Sequence, residues 1–343
     1  KTNRKFPWRS IQIADQAKDL VNNNLIYALA SPSELKDTKW IKPGKVAWDW
    51  YHDWRIPGVS FKTGINTETY QYYIDFAAKN GFSYINLDEG WTHNKKLLDV
   101  NKDIDIERIV AYGKKKNVGV FIWMIWWVLD KDMDKYLDQF AKWGIAGIKV
   151  DFMDRDDQAV VQFYERLAKA AAQRKLLIDY HGAYKPTGLG ITYPNIINRE
   201  GAVGLENNKF SKRCTPEHNL TIPFTRNVVG PMDYTPGAMR HIAPNKFKKN
   251  WKRPAAMSSR AQQMAMYIVY YGPLQLISDA PSLYPSEALE FLSRVPTTWD
   301  ESICLEGEIG KHIVMARRKG KDWYIGGMAG MDVKEVELKL DFL

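Results

Sequence analysis

Short apolar runs alternate with amphipathic stretches along most of the chain. "KVAWDWYHDW" (Lys45–Trp54) reads as a first strand. A helix is expected after Asn66, a good N-cap, with Tyr70, Tyr73, Ile74, Ala77 and Ala78 on one face and Gly81 ending it as the C′ residue. The rhythm recurs roughly every 30 to 50 residues. Further strands are predicted at "FSYINLDEGW" (Phe82–Trp91), "NVGVFIWMIWWV" (Asn117–Val128), "IAGIKVDFM" (Ile145–Met153), "KLLIDYHG" (Lys175–Gly182), "NIINREG" (Asn195–Gly201), "RNVVGPMD" (Arg226–Asp233) and "LQLISDA" (Leu274–Ala280). Helices are predicted near Ile106–Lys116, around Met133–Phe140, over Val160–Ala171 and near Pro254–Tyr271, with a long loop at about 202–225.

Strands alternating with helices in this way predict an α/β fold, a (β/α)8 TIM barrel over residues 31–296. A doubly wound sheet would be expected to carry a Gly-rich phosphate turn after its first strand, and this sequence has none there. From about Thr297 polar and apolar positions alternate between Gly turns, so 297–343 reads as the start of a C-terminal antiparallel β-domain. Residues 1–30, with "PWRSIQIAD", read as a strand and lead-in rather than a domain.

The aromatic content, 13 Trp, 18 Tyr and 13 Phe, exceeds what a core needs. Flat rings suit sugar faces, although an aromatic-rich core is the plainer reading. The formal charge of +9 would suit nucleic acid. The basic residues are scattered, however, and runs such as Lys114–Lys116 and Lys246–Lys249 are short. With no zinc-finger spacing, RNA-binding aromatic motif or phosphate loop, no nucleic-acid partner is expected. Cys214 and Cys304 make no disulfide framework and are expected as free thiols. The most apolar stretch, Gly119–Asp130, is too short to span a membrane, so no membrane insertion is expected. The sequence opens at Lys1 without an initiator Met or a signal peptide, as a mature or excised segment would.

In a barrel of this kind, chemistry gathers at the carboxyl ends of the strands. Those ends offer Asp49, Trp50 and His52; Asp88, Glu89 and Trp91; Trp123, Trp126 and Trp127; Lys149 and Asp151; Asp179 and His181; Arg199 and Glu200, with Glu206 just beyond; and Asp279. Lys149 and Asp151 sit two apart, so both side chains face the same way on a strand, into the barrel. A buried Lys beside a buried Asp would hold that carboxylate ionised, and an ionised, positioned carboxylate can be a nucleophile. A structural ion pair is the alternative. A capping role for Asp151 fits less well, because Asp154, Asp156 and Asp157 are nearer the following helix.

These segments also carry a resemblance. "GIKVDFMDRDDQ" resembles the nucleophile strand of glycoside hydrolase family 97, and its K-x-D element is similar to that of α-galactosidase families 27 and 36, whose nucleophile is that Asp. "LDEGW" (Leu87–Trp91) resembles the "DDGW" of those families, whose acidic pair binds sugar hydroxyls. "INREG" (Ile197–Gly201) and "GLENN" (Gly204–Asn208) resemble the family 97 segments that carry two glutamates on calcium, and "GPMDYTPGAM" (Gly230–Met239) is similar as well. The likeness runs through nearly the whole chain in order.

The resemblance implies an enzyme, a retaining exo-acting α-galactosidase acting on an oligosaccharide or α-galactoside. An α-glucosidase of the same family and a non-catalytic carbohydrate-binding barrel are the alternatives. Asp151 on the fourth strand, and "HGAY" (His181–Tyr184) with Gly182 and no glutamate after the fifth, resemble the retaining branch. The roles carried over are nucleophile for Asp151, acid/base for Glu206, substrate contacts for Asp88, Glu89, Trp91 and Lys149, and calcium ligands for Glu200 and Glu206. Family members also have an N-terminal β-domain that supplies part of the calcium coordination, of which residues 1–30 would be a remnant. A bacterial periplasmic or secreted location is implied in the same way. One of Trp123, Trp126 or Trp127 is a candidate sugar platform.

Overall fold

The computed structural model describes residues 9–333 and 335–343. Seven parallel strands form one sheet: β1 (Gly44–Trp48), β2 (Tyr84–Leu87), β3 (Gly119–Ile125), β4 (Gly147–Asp151), β5 (Leu177–Tyr180), β6 (Ile196–Arg199) and β7 (Leu274–Ile277). Their order is β6-β5-β4-β3-β2-β1-β7, a nearly closed barrel wrapped by helices. Outward side chains such as Ile85, Ile122, Ile148 and Ile178 pack with Tyr73, Phe140, Phe163 and Leu167 of the helices. Inward ones such as Val46, Tyr84, Phe121, Leu177 and Leu276 fill the lower barrel. Gly147 belongs to that filling: a Cβ there would lie 2.3 Å from the Phe121 ring. The apolar plug leaves only the upper interior for polar groups.

The helix expected after Asn66 runs Thr67–Lys79, with the Asn66 side chain accepting from the Thr69 N–H and Gly81 at φ +69°. The next helix is Ile106–Lys115, and Asp157, not Asp151, caps the helix Gln158–Gln173.

The expected strand at Arg226–Asp233 does not form. The segment begins with a short 3-10 turn, Asn227–Val229. Gly230 then takes φ +138°, and Pro231 and Pro236 have no N–H for a ladder. The gap between β6 and β7 is bridged by single contacts instead. The Asp233 N–H donates to Arg199 O, the Met232 N–H to Tyr271 O, and Asn198 Nδ2 to Leu274 O. The buried Arg226 guanidinium donates to the carbonyls of Arg199, Glu200, Gly230 and Pro231.

Three further expectations are corrected. The long loop contains a 3-10 turn (Leu205–Lys209) and a helix (Pro216–Thr225). The third strand ends at Ile125, and Trp126–Asp130 is helical. Pro7 and Trp8 lie outside the described residues, while 9–13 form no strand and two short helices follow, Ala17–Val21 and Leu25–Leu29. The C-terminal pattern does form an antiparallel sheet of β8 (Glu301–Glu308), β9 (His312–Lys319) and β10 (Asp322–Ala329). Buried Arg317 ties it to the barrel by donating to Ile268 O and Val269 O. Cys214 and Cys304 are buried and unpaired. Among the described residues no helix is long and apolar enough to cross a membrane.

Candidate active site

Strand register assembles the site. Trp123 on β3 pairs with Lys149 on β4, which pairs with Asp179 on β5, so their side chains share one interior layer. Asp151 stands one layer higher, at the end of β4 opposite Ile125. Its Oδ2 accepts from Trp123 Nε1 at 2.8 Å and lies 3.2 Å from His181 Nδ1, and its Oδ1 accepts from the Phe152 N–H at 2.5 Å. Burial pushes this carboxyl up. The charge and hydrogen bond of His181, the Trp123 indole and Lys149 outweigh it and hold the group below the ordinary aspartate range.

The role expected of Lys149 beside Asp151 is corrected in part. Its ammonium lies 3.7 Å from Asp88 Oδ2 and 3.6 Å from Asp233 Oδ2, and acts on Asp151 at longer range. Burial disfavours the charged lysine, but Asp233, Asp88, Asp179 and Glu206 overcompensate and raise its pKa. Lys149 is therefore the cation of an acidic floor. Asp88 there also accepts from Trp48 Nε1 at 2.6 Å and Asn86 Nδ2 at 3.0 Å. Burial and the neighbouring Asp233 push Asp179 well above the ordinary aspartate range.

Glu200, Glu206 and His181 meet beside Asp151 and Asp233, each offering one ligand atom within 4.8 Å of the others. Glu200 Oε2 accepts from the Gly182 N–H at 2.7 Å. Burial, with Glu206, Asp151 and Asp233 nearby, pushes Glu200 up to about 8 despite His181. Burial likewise raises Glu206, and Asp151 and Asp88 add to the effect against His181 and Lys149. Burial and Lys149 oppose the charge of His181, but Glu200, Asp151 and Glu206 outweigh them and raise it well above an ordinary histidine. An open cleft of about 540 Å3, lined by Asp154, Gly182, Tyr184, Glu200 and Asn207 among others, adjoins this side. A better enclosed apolar cavity of about 240 Å3, against Tyr27, Ile41 and Pro273, is lined by none of these carboxylates.

The donor set suits a hard cation in part. Glu200 is buried and Glu206 partly so, both beside His181, and a carboxylate taken out of water without a counter-charge is costly. Calcium takes six to eight oxygens, so further oxygens beyond Glu200 and Glu206 are needed.

Several expected contacts lie elsewhere. Trp91 is fully buried, packs edge-on to Phe140 and Trp143, and donates to Trp123 O, so it belongs to the core and not to the mouth. The cause is Gly90 at φ +102°, which turns the chain outward after Asp88. Glu89 is half-buried and accepts from Asn94 Nδ2. Arg199 points out of the barrel onto Tyr164, Tyr180 and Tyr184. Asp49 accepts from Tyr70, and burial with Asp88 nearby pushes it up to about 8. Asp279 accepts from the Met239 and Ala280 N–H groups. Trp126 packs on Phe163, whereas Trp127 is 44% exposed.

Two residues escape sequence reasoning. Asp233 sits within "GPMDYTPGAM", but nothing at a non-strand position marks its side chain as inward. Lys209 lies 3.9 Å from the Trp50 ring centre and donates to Trp50 O and Tyr51 O, closing one wall of the mouth.

Comparison with known proteins adds identity to this geometry. Residues 50–202 match the family model described as glycoside hydrolase 97, residues 1–32 its N-terminal model and residues 298–343 its C-terminal, oligomerisation model. A protein named retaining alpha-galactosidase from Bacteroides thetaiotaomicron is 44% identical over 99% of this chain and 52% of its own length. A probable retaining alpha-galactosidase from Streptomyces bingchenggensis is 33% identical over 97% of this chain and 51% of its own. The chain thus spans about half the length of these curated relatives. Among solved structures, a glycoside hydrolase family 97 enzyme in complex with acarbose from Pseudoalteromonas sp. strain K8 superposes with a TM-score of 0.86 at 32% identity, covering 96% of this chain and 56% of that one. Three models of one family matched in sequence order, over a barrel whose carboxylates converge at one mouth, place the chain in glycoside hydrolase family 97.

Proposed function

We propose that the protein is a retaining, exo-acting α-galactosidase that releases terminal galactose from α-galactosides. The observation that carries this reading is the pairing of Asp151, placed at the end of β4 and held below the ordinary aspartate range by His181 and Trp123, with Glu206, which burial and the charge of Asp151 push above the ordinary glutamate range. One group is set to attack and the other to donate.

In the first displacement an Asp151 carboxylate oxygen bonds to the anomeric carbon as the glycosidic C–O bond breaks, and the Glu206 proton goes to the leaving oxygen. Asp151 is now a neutral ester, so one charge that raised Glu206 is gone and Glu206 becomes the stronger acid. In the second displacement Glu206 takes a proton from water, the oxygen attacks the anomeric carbon, and the ester bond breaks to restore Asp151. Two inversions give net retention. The floor of Asp88, Lys149 and Asp233 closes the site below and offers charged partners to the hydroxyls of a single terminal sugar. His181 and Trp123 hold the Asp151 carboxylate in place from two sides.

Glu200 and Glu206 would hold a calcium ion, which would supply positive charge and Lewis-acid chemistry on this side of the site. The preference for galactose over glucose is supported by the curated relatives, both named as retaining or probable retaining alpha-galactosidases. Turnover of an aryl α-galactoside, compared with that of an aryl α-glucoside, tests the reading. Selective turnover of the galactoside is expected. Preference for the glucoside would make the protein an α-glucosidase of the same family, and binding of galactosides without turnover would make it a carbohydrate-binding barrel.

A further inference from the structure

We infer that Phe152 and Trp127 form the platform for the leaving-group sugar, so that this pair sets the preference for sugar over non-sugar aglycones. The inference rests on Asp151 acting as the nucleophile of the proposed reaction.

The observations concern the residue next to Asp151. Phe152 has φ +66°, a left-handed conformation that strains an L side chain, and strain of this kind collects at functional sites. Its backbone N–H is committed to Asp151 Oδ1. The turn therefore fixes the nucleophile and swings the Phe152 ring outward in one movement. The ring stands edge-on to Trp123, at 85° and 5.7 Å, and Trp123 is itself hydrogen-bonded to Asp151. On its other side Phe152 lies nearly parallel to Trp127, at 27° and 6.3 Å. Both rings are 44% exposed. Two large adjoining aromatic faces open to solvent call for an occupant.

The position decides which occupant. The sugar attacked by Asp151 lies inward, over Asp88, Lys149 and Asp233, which are buried. Phe152 and Trp127 lie outward of the same carboxylate. A leaving group departs toward the mouth, and so passes over these rings. They carry no charge, and an aromatic face suits the C–H face of a pyranose while placing no demand on its hydroxyl pattern. Trp126, the neighbour of Trp127, is turned into the core against Phe163, so the helix Trp126–Asp130 presents only one of its two tryptophans.

Two substrates separate this role from a structural one. A galactosyl-glucose disaccharide has a sugar leaving group, whereas α-galactosyl fluoride expels a fluoride ion, too small to rest on the two rings. Trp127→Ala should lower kcat/KM for the disaccharide about tenfold more than for the fluoride, a loss of the size expected for one aromatic contact. Trp127→Tyr should recover most of the difference, and Phe152→Leu should repeat the selective loss while keeping the backbone N–H on Asp151. Equal losses on both substrates, or no loss on either, would overturn the platform while leaving the hydrolase reading intact. If the wild-type protein turned over neither substrate, the hydrolase reading would fall and this inference with it.

Discussion

Gly182 and Asp151 claim the same space: a Cβ built on Gly182 would lie 2.7 Å from Asp151 Oδ1 and 2.7 Å from the Phe152 nitrogen. Gly182 also has φ +53°, and its N–H holds Glu200 at 2.7 Å. A side chain after the fifth strand and the Asp151 carboxylate in its present place at the end of the fourth are thus steric alternatives.

Gly182→Ala should therefore damage catalysis far more than its single methyl suggests. Displacing the Asp151 carboxylate by a fraction of an ångström to an ångström is expected to cost about a hundredfold in kcat. The φ strain adds about 1–3 kcal/mol of destabilisation. Steady-state kinetics on an aryl α-galactoside, with a denaturant titration alongside, check both. Wild-type kcat in the variant would remove the steric relationship from the mechanism.

Lys149→Met tests the acidic floor. The ammonium is shared by Asp88 and Asp233, all three being buried, and its loss leaves buried negative charge uncompensated. Removing one partner of a buried ion pair costs roughly 3–5 kcal/mol. Urea unfolding at neutral pH should show a loss of that order, and activity should fall with it. An unchanged unfolding midpoint would mean that the floor does not depend on this cation.

His52 sets a pH dependence of stability. Burial lowers its pKa to about 4, and its Nε2 pairs with the Tyr73 hydroxyl at 2.6 Å. Below about pH 6.5 the unfolded chain takes up a proton at this residue, while the folded protein refuses it until about pH 4. The unfolded state then binds more protons, so stability falls as pH drops through this window, by up to about 3 kcal/mol from this residue. Against His52→Gln, the wild-type protein should lose more stability between neutral pH and the lower end of the window. Parallel curves would show that His52 contributes nothing to the acid limb.

A calcium requirement is expected if Glu200 and Glu206 hold the ion with further oxygens. Chelation should lower activity of the full-length protein, and calcium should restore it better than magnesium, because a flexible carboxylate set suits the larger ion. Full activity in a sample shown metal-free by elemental analysis would reject the requirement.

The fold and site are legible in the sequence where the signals are local. The β/α rhythm can be read because each strand is an apolar run, and Asp151 because it ends such a run two residues after Lys149. The end of a run is harder to place. Trp91 looks like part of a strand end, yet the strand stops at Leu87 and Gly90 turns the ring into the core. The missing strand near Asp233 has its own marker in Gly230-Pro231 and Pro236, which the need for an eighth strand outweighs. Asp233 escapes notice for the same reason, since its inward position comes from lone hydrogen bonds across the gap and not from strand alternation. That Lys149 pairs with Asp88 and Asp233 depends on which neighbouring elements close around it, which no local pattern encodes.

Stereochemistry tests the central claim most directly. With Asp151 as nucleophile and Glu206 as acid/base, each turnover inverts the anomeric carbon twice. Proton NMR of the first product formed from an α-galactoside, recorded before mutarotation, should show α-galactose. If β-galactose appears first, the enzyme inverts, Asp151 is not its nucleophile and Glu206 does not cycle as acid and base.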